Sequence, residues 1–363
     1  MTSLHKSTLY VALALLIASV ALFVADLPRI AGPVLTVCFA LAALGVRGSG
    51  RFRGISFSLL IFAAVSLAMT YPAPFVSWGG FKMSTLIVPL LQIIMFGMGT
   101  AMSAADFVGV VKSPKAVFIG LACQFTIMPF IGAALALAFH LEPEVAAGII
   151  LIGSVPSGLA SNVMSYIANA NLALSVTLTT FSTLLAPLIT PFYMQWLAGE
   201  LIPIDTWGMM WSIIKITILP IMAGLVFNHF LHGRTKWLDD LMPKISMGGI
   251  AVILMIMTGG ARDNLLVIGM VLILISLLHN VAGYLLGYWS CRLLGLDERS
   301  CRTISFEVGQ QNAGLATGLA QEMGKMATVG LVPTVFGSLM NITGATLATW
   351  WRDRRIPGAK EAA

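Results

Sequence analysis

The sequence predicts an all-α polytopic membrane protein on three observations. Of its 363 residues 58% are apolar and 10% charged, whereas an ordinary soluble domain is about a quarter charged. Mean hydropathy is +0.92. The apolar runs extend over 17 to 27 residues, and about 20 suffice for a helix to cross the hydrocarbon core. These runs exclude a water-soluble globule. They also exclude an outer-membrane barrel, whose strands alternate polar and apolar residues over about ten positions.

Twelve spans follow from the boundaries that charge, Pro and Gly impose: 8–25, 30–46, 55–71, 84–104, 116–140, 145–170, 172–197, 207–230, 242–260, 265–291, 303–321 and 327–351. The first follows Lys6 and contains a small-x-small triplet, Ser19-Val20-Ala21. Cleavage there would cut an apolar run that continues through Phe23 and Val24, so the segment reads as a retained span rather than a signal peptide.

The net charge of +6 is interpreted by location. With both termini in the cytoplasm, sixteen of the 21 basic residues fall in cytoplasmic stretches, including Arg47, Arg51 and Arg53, Lys112 and Lys115, Arg234, and the tail with Arg355 and Lys360. Four, Arg29, Lys82, Arg262 and Lys325, fall on the other side, and Lys215 lies inside a span. This asymmetry supports both the count and the orientation. It gives the charge a topological role, with no nucleic-acid partner and no obligate protein partner expected. The four cysteines form no CxxC pair, so neither a disulfide framework nor a zinc site is expected.

The basic connector at 47–54 divides a two-span leader, residues 1–54, from ten spans that split evenly into 55–204 and 205–351, followed by a tail at 352–363. Because five is odd, the second set enters the membrane from the opposite face, as in inverted-repeat secondary transporters. The fourth member of each half is also its least apolar. One carries Gly153-Ser154-Val155-Pro156-Ser157-Gly158-Leu159-Ala160-Ser161-Asn162 and the other Glu307-Val308-Gly309-Gln310-Gln311-Asn312-Ala313-Gly314. Interruptions at matching places point to a substrate site near the midplane.

Glu307 is the one acid of fifteen that falls within a span. A carboxylate at that depth costs about 2.5 to 3.5 kcal/mol on insertion scales and calls for a partner. No basic residue is closer in sequence than Arg302, at the membrane boundary, so a bound cation is the expected counter-charge. Gln310, Gln311 and Asn312 offer amide oxygens, unwound backbone at Val308 and Gly309 offers carbonyls, and Ser161 and Asn162 offer oxygens from the other half. Ser175 and Thr179 stack one turn apart, and Gln124 is an isolated amide in an apolar span. Such oxygens suit a hard cation. Taken singly, Ser175, Thr179 and Gln124 read equally as interhelical hydrogen-bond partners, as do His279 and Asn280. Lys215 reads either as an anion contact or as a side chain snorkelling to the interface.

Over about 60–351 the residues resemble the bile acid:sodium symporter family, and specifically its bacterial members related to the apical sodium-dependent bile acid transporters. The resemblance lies in Phe96-Gly97-Met98-Gly99, Gly158 to Met164, Ala173 to Val176, Ser182 to Pro187, His279-Asn280, and Glu307-Val308-Gly309-x-Gln311-Asn312-x-Gly314-Leu315-Ala316. It implies a core and a panel domain, with the discontinuous helices crossing at two sodium sites. One site would be Ser161, Asn162, Ser175, Thr179 and Glu307; the other Gln124, Glu307, Gln311 and the carbonyls of Val308 and Gln310. Leu159, Asn312 and Asn341 would face the substrate. Leu159 stands where relatives often have Thr, and Met340 where bacterial relatives have His. The expected activity is sodium-driven import of an organic anion, a small carboxylate such as pantoate or a keto acid, or a bile-acid-like anion, across a bacterial cytoplasmic (inner) membrane. Proton coupling through Glu307 and a non-transporting receptor are the alternatives. An enzyme is not expected: the chain has no His-Glu-x-x-His, no paired intramembrane aspartates and no Gly-x-Ser-x-Gly.

Overall fold

The structure, a computed structural model, describes residues 3–49, 55–102, 113–231 and 236–354. Arg51, Arg53, Lys112, Arg234 and the tail beyond 354 lie outside the described residues. Eight helices among the described residues are long and apolar enough to cross a bilayer. The protein is an integral, multi-pass membrane protein built almost wholly of helix.

The leader forms α1 (Ser3–Val24) and α2 (Pro28–Arg47). Pro28 opens α2 at the position where a missing N–H is harmless. The two helices are joined by hydroxyl- and thiol-to-carbonyl bonds, Ser19 to Ala31 at 3.1 Å and Cys38 to Ala12 at 3.1 Å. Such bonds supply the attraction between helices that lipid, being as apolar as the side chains, does not. Next, α3 (Ser56–Thr70) docks on α2 through Ser56, whose hydroxyl donates to the Ala43 carbonyl and accepts from Arg47. At 15 residues α3 is about 22 Å long. It is shorter than the expected span because Pro72 follows, succeeded by a single helical turn, Ala73–Val76. A two-stranded hairpin, β1 (Ser77–Trp78) and β2 (Phe81–Lys82), turns on Gly79-Gly80 with φ of +55° and +86°. Paired positive φ values define a tight hairpin turn and favour glycine.

The remaining helices are α4 (Ile87–Ala101), α5 (Pro114–Ala138), α6 (Pro143–Ser154), α7 (Ala160–Ile167), α8 (Leu172–Tyr193), α9 (Thr206–Phe230), α10 (Lys236–Leu293), α11 (Glu298–Gly309), α12 (Ala313–Glu322) and α13 (Leu331–Arg352). The expected spans at 145–170 and 303–321 are therefore each two half-helices, α6 with α7 and α11 with α12. The expected loop between the spans at 242–260 and 265–291 is not a loop. Residues 261–264 stay helical within α10. Straight, 58 residues would run about 87 Å, nearly three hydrocarbon thicknesses. The polar residues at this junction are tied to neighbouring segments, Arg262 Nε to the carbonyl of Met69 in the last turn of α3 and Asn264 to that of Ala327 in the connection before α13. The helix thus runs through the expected boundary without a break in its secondary structure.

Among the described residues, helices begin with side-chain caps from Asn171, Asp205, Asp297 and Asn312. Asp297 accepts from the backbone N–H of Arg299 and Ser300 and from the Ser300 hydroxyl at 2.6 Å. Partial burial pushes this carboxyl up, but the hydrogen bonds from Ser300 and Arg299 outweigh it and hold the group below its ordinary range. A lowered carboxyl stabilises the fold above the unfolded-state value of about 4 and loses that contribution as acid protonates it. Asp297→Ala should cost about 1 kcal/mol, and Asp297→Asn only a fraction of that. Thermal denaturation in detergent at pH 7 checks both.

Candidate functional site: a crossing of two broken helices

Each broken helix is interrupted by residues that cannot continue it. After Ser154 the chain turns extended at Val155, and Pro156 lacks an N–H. After Gly309, Gln310 is extended with φ −100° and ψ 93°. In hydrocarbon such backbone must find partners, and each break supplies the other's. The Gly158 N–H donates to the Gln310 carbonyl at 2.7 Å and the Asn312 N–H to that of Pro156 at 2.9 Å, with Ser157 opposite Gln311 in an antiparallel bridge. The C-terminal ends of α6 and α11 and the N-terminal ends of α7 and α12 therefore meet at one point. Carbonyl ends attract cations and N–H ends attract anions.

Glu307, two residues before the second break, is 1% exposed. Helix register brings its partners to it. Thr303, one turn earlier on α11, exchanges hydrogen bonds with the backbone of Asn171 at the start of α8. One turn further along both helices, Glu307 faces Ser175 and then Thr179. Its Oε1 accepts from Ser161 at 2.5 Å and Ser175 at 2.6 Å, and its Oε2 from Ser157 at 2.6 Å and Thr179 at 3.0 Å. Four neutral hydroxyls satisfy the carboxylate's lone pairs, and among the described residues no Lys or Arg pairs with it. The nearby Arg302 turns the other way, to Glu298 at 2.8 Å and to the carbonyls of Ala168 and Trp351.

The residues singled out in the sequence fall into groups. Ser161, Ser175 and Thr179 touch Glu307 directly, and Asn162 joins through Thr179, whose hydroxyl lies 3.3 Å from the Asn162 Oδ1. Gln124 and Gln311 form a second cluster. The Gln124 amide donates to the Gln311 Oε1 at 2.9 Å and to the Val155 carbonyl, and Gln311 donates to the Val308 carbonyl at 2.6 Å. The Gln310 carbonyl is engaged by Gly158, while its side chain turns away to Tyr284 and Met340. Ser157 was not singled out although it binds Glu307 and lies 3.2 Å from the Ser182 hydroxyl. In a Pro- and Gly-containing break a serine reads as turn chemistry; the signal that could find it is that the other side chains bonding Glu307 are all hydroxyls.

The donor set is oxygen throughout. No group of three His, Cys, Asp or Glu that could hold a metal occurs among the described residues. The chemistry fits a hard monovalent cation, one charge against one carboxylate, better than zinc or another transition metal.

Of the expected substrate contacts, Leu159 is half-buried at the start of α7, Asn312 caps α12 through the Leu315 N–H at 3.0 Å, and Asn341 donates to the Gly337 carbonyl at 2.7 Å. Neither of two outer grooves of about 470 Å³, one beside Trp196 and Trp207 and one beside Gln92 and Phe96, is lined by any of the three. Lys215 is exposed on a stripe with Trp211 and Leu219, one turn either side. That stripe places it on an outer face of α9, as snorkelling requires.

An almost wholly helical, multi-pass chain with two broken helices pairing around a buried, oxygen-lined carboxylate has the features of a secondary transporter. The sequence profile of the Sodium Bile acid symporter family matches residues 88–268. The chain is 38% identical over 310 residues, 85% of its length and 94% of the relative's, to YocS of Bacillus subtilis (strain 168), described as an uncharacterized sodium-dependent transporter. It is 37% identical over 264 residues, 72% of its length and 65% of the relative's, to the probable sodium/metabolite cotransporter BASS1, chloroplastic, of Arabidopsis thaliana. It is 34% identical over 272 residues, 70% of its length and 76% of the relative's, to the ileal sodium/bile acid cotransporter of Homo sapiens. The chain belongs to the Sodium Bile acid symporter family, whose members are transporters rather than enzymes.

Proposed function

We propose that this protein is a sodium-coupled symporter that imports a small organic anion by alternating access. The observation that carries the reading is Glu307, a buried carboxylate with four hydroxyl partners and no cationic side chain against it among the described residues. Sodium supplies the missing positive charge. Its ligands are Ser161, Asn162, Ser175, Thr179 and Glu307 at one site, and Gln124, Glu307, Gln311 and the carbonyls of Val308 and Gln310 at the other. With two ions per monovalent anion, one net positive charge enters, and each charge moving down the potential contributes about 2.3 kcal/mol per 100 mV.

In this reading residues 55–204 and 205–351 are inverted repeats behind a two-span leader, and the helices divide into a core and a panel that rock against each other. Both termini are cytoplasmic and the membrane is the bacterial inner membrane. The anion's acidic group faces Leu159, Asn312 and Asn341 near the N-terminal ends of α7 and α12, where helix dipoles favour negative charge. Relatives are named for bile acids and for unspecified metabolites. Leu159 and Met340 add no hydroxyl or imidazole, which favours a small carboxylate such as pantoate or a keto acid over a bile-acid-like anion.

The test is uptake of labelled pantoate, a keto acid and taurocholate into vesicles, in sodium against choline. Sodium-dependent uptake of a small carboxylate is expected. Flux driven by a pH gradient in choline would instead make Glu307 a proton carrier, and saturable binding without flux would make the protein a receptor.

A further inference from the structure

At the second break lies a buried network of side chains, none of which is a ligand in the proposed ion sites; Gln310 enters it through its side-chain amide rather than through its carbonyl. The Gln310 amide Nε2 donates to the Tyr284 hydroxyl at 2.6 Å and to the Met340 carbonyl at 2.7 Å. Asn280, one turn before Tyr284 on α10, donates through Nδ2 to the Gly309 carbonyl at 2.7 Å. Thr343 on α13 donates to the Asn280 Oδ1 at 2.5 Å, fixing the amide so that its N–H₂ faces the break. The backbone is shaped around these bonds. A Cβ at Gly344 would lie 2.0 Å from the Gln310 Nε2, and one at Gly309 would lie 2.2 Å from the Tyr284 ring. The Gln310 Oε1 is buried without a hydrogen-bond partner, so the side chain is held by its donors alone.

Val308 and Gly309 close α11 rather than being unwound as expected, because the break begins at Gln310; these contacts grip Gly309 and Gln310, the end of that helix and the first residue beyond it, where the proposed carbonyl ligands lie. They do so from α10 and from α13, at the residue preceding Asn341. One residue before Asn280, the His279 Nε2 lies 2.9 Å from the Met128 carbonyl, beside Gly153 at the approach to the first break. The same short stretch of α10 therefore reaches both broken helices.

We propose that Asn280, Tyr284 and the side chain of Gln310 are positioning groups that set the sodium affinity of the crossing from behind, through neutral hydrogen bonds that hold the backbone ligands without themselves touching the ion. The proposal rests on the sodium reading of Glu307. Groups that orient metal ligands typically change affinity by about 10- to 100-fold when removed. A sodium ligand set built from backbone carbonyls depends on where that backbone is held.

The experiment measures melting temperature of the full chain in detergent while sodium replaces choline at constant ionic strength, and reads the sodium midpoint. Tyr284→Phe and Thr343→Val should raise the midpoint roughly tenfold, while Thr343→Ser, which keeps the hydroxyl, stays within about twofold of the unaltered protein. If Tyr284→Phe does not fold, the two Thr343 variants carry the comparison. A uniform loss of melting temperature in sodium and choline, with the midpoint unmoved, would make the network structural and overturn the proposal. Absence of any sodium response in the unaltered protein would overturn the sodium reading itself, and this inference with it.

Discussion

Replacing Glu307 with glutamine is expected to lower sodium-dependent uptake by at least about 100-fold while leaving the protein folded. Glutamine keeps the shape and an acceptor oxygen, and the hydroxyls of Ser157, Ser161, Ser175 and Thr179 can rotate to accept from the new N–H₂. The charge is what disappears. A unit pair about 4 Å apart is worth about 4 kcal/mol at an effective dielectric of 20, and each 1.4 kcal/mol is tenfold in affinity. The loss of ion binding should therefore dominate every other consequence. Without sodium the effect on stability should reverse: removing a buried charge that lacks a cationic side-chain partner relieves a penalty, so the variant should melt no lower than the parent in choline. Uptake assays and melting curves in the two salts separate these outcomes. A variant that loses stability equally in both salts and retains sodium-dependent uptake would remove Glu307 from the mechanism.

The second large effect is expected at the crossing itself. Gly158 donates its N–H to the Gln310 carbonyl, and a Cβ at this position would stand 2.7 Å from the Gln311 carbonyl oxygen and 3.2 Å from its carbon. Those atoms belong to backbone and cannot swing aside as a side chain would. Gly158→Ala must therefore spread the two breaks, a strain of about 1 to 3 kcal/mol by analogy with overpacked cores. Any part of it that falls on the ion-bound state weakens binding, so the sodium midpoint for uptake should rise roughly tenfold or more. The same change at Gly269, where nothing lies within 4 Å, should leave uptake unaltered. Equal uptake by the two variants would show that the antiparallel pairing does not govern the site.

Much of this arrangement was legible in the sequence because the bilayer admits few alternatives. Uninterrupted apolar runs have to be helices, and an acid inside one of them has to be accommodated. Pro156 and the Gly309-Gln310-Gln311 run marked the breaks because residues of those types at membrane depth are tolerated only where the backbone is otherwise satisfied. What could not be read was which groups satisfy it. The reciprocal bonds between Gly158 and Gln310, and between Asn312 and Pro156, join residues about 150 apart and have no local signature. Ser157 sits in a sequence that reads as a turn, and its partner Glu307 is equally distant along the chain. The polar run Arg262-Asp263-Asn264 reads as a loop because charge commonly ends a span, yet it contains no proline and remains helical, with Arg262 and Asn264 binding the carbonyls of Met69 and Ala327. His279-Asn280 read as interhelical hydrogen bonding, and both side chains do bind carbonyls on other helices. That the Asn280 partner would be a residue of the break became visible only in three dimensions.

The most direct test is equilibrium binding of radioactive sodium to the purified protein, with Glu307→Gln in parallel and no organic substrate present. Saturable binding by the parent, abolished in the variant, is the predicted result. Binding of equal affinity in both, or none in the parent at sodium concentrations that support uptake, would contradict the claim that Glu307 holds the driving ion.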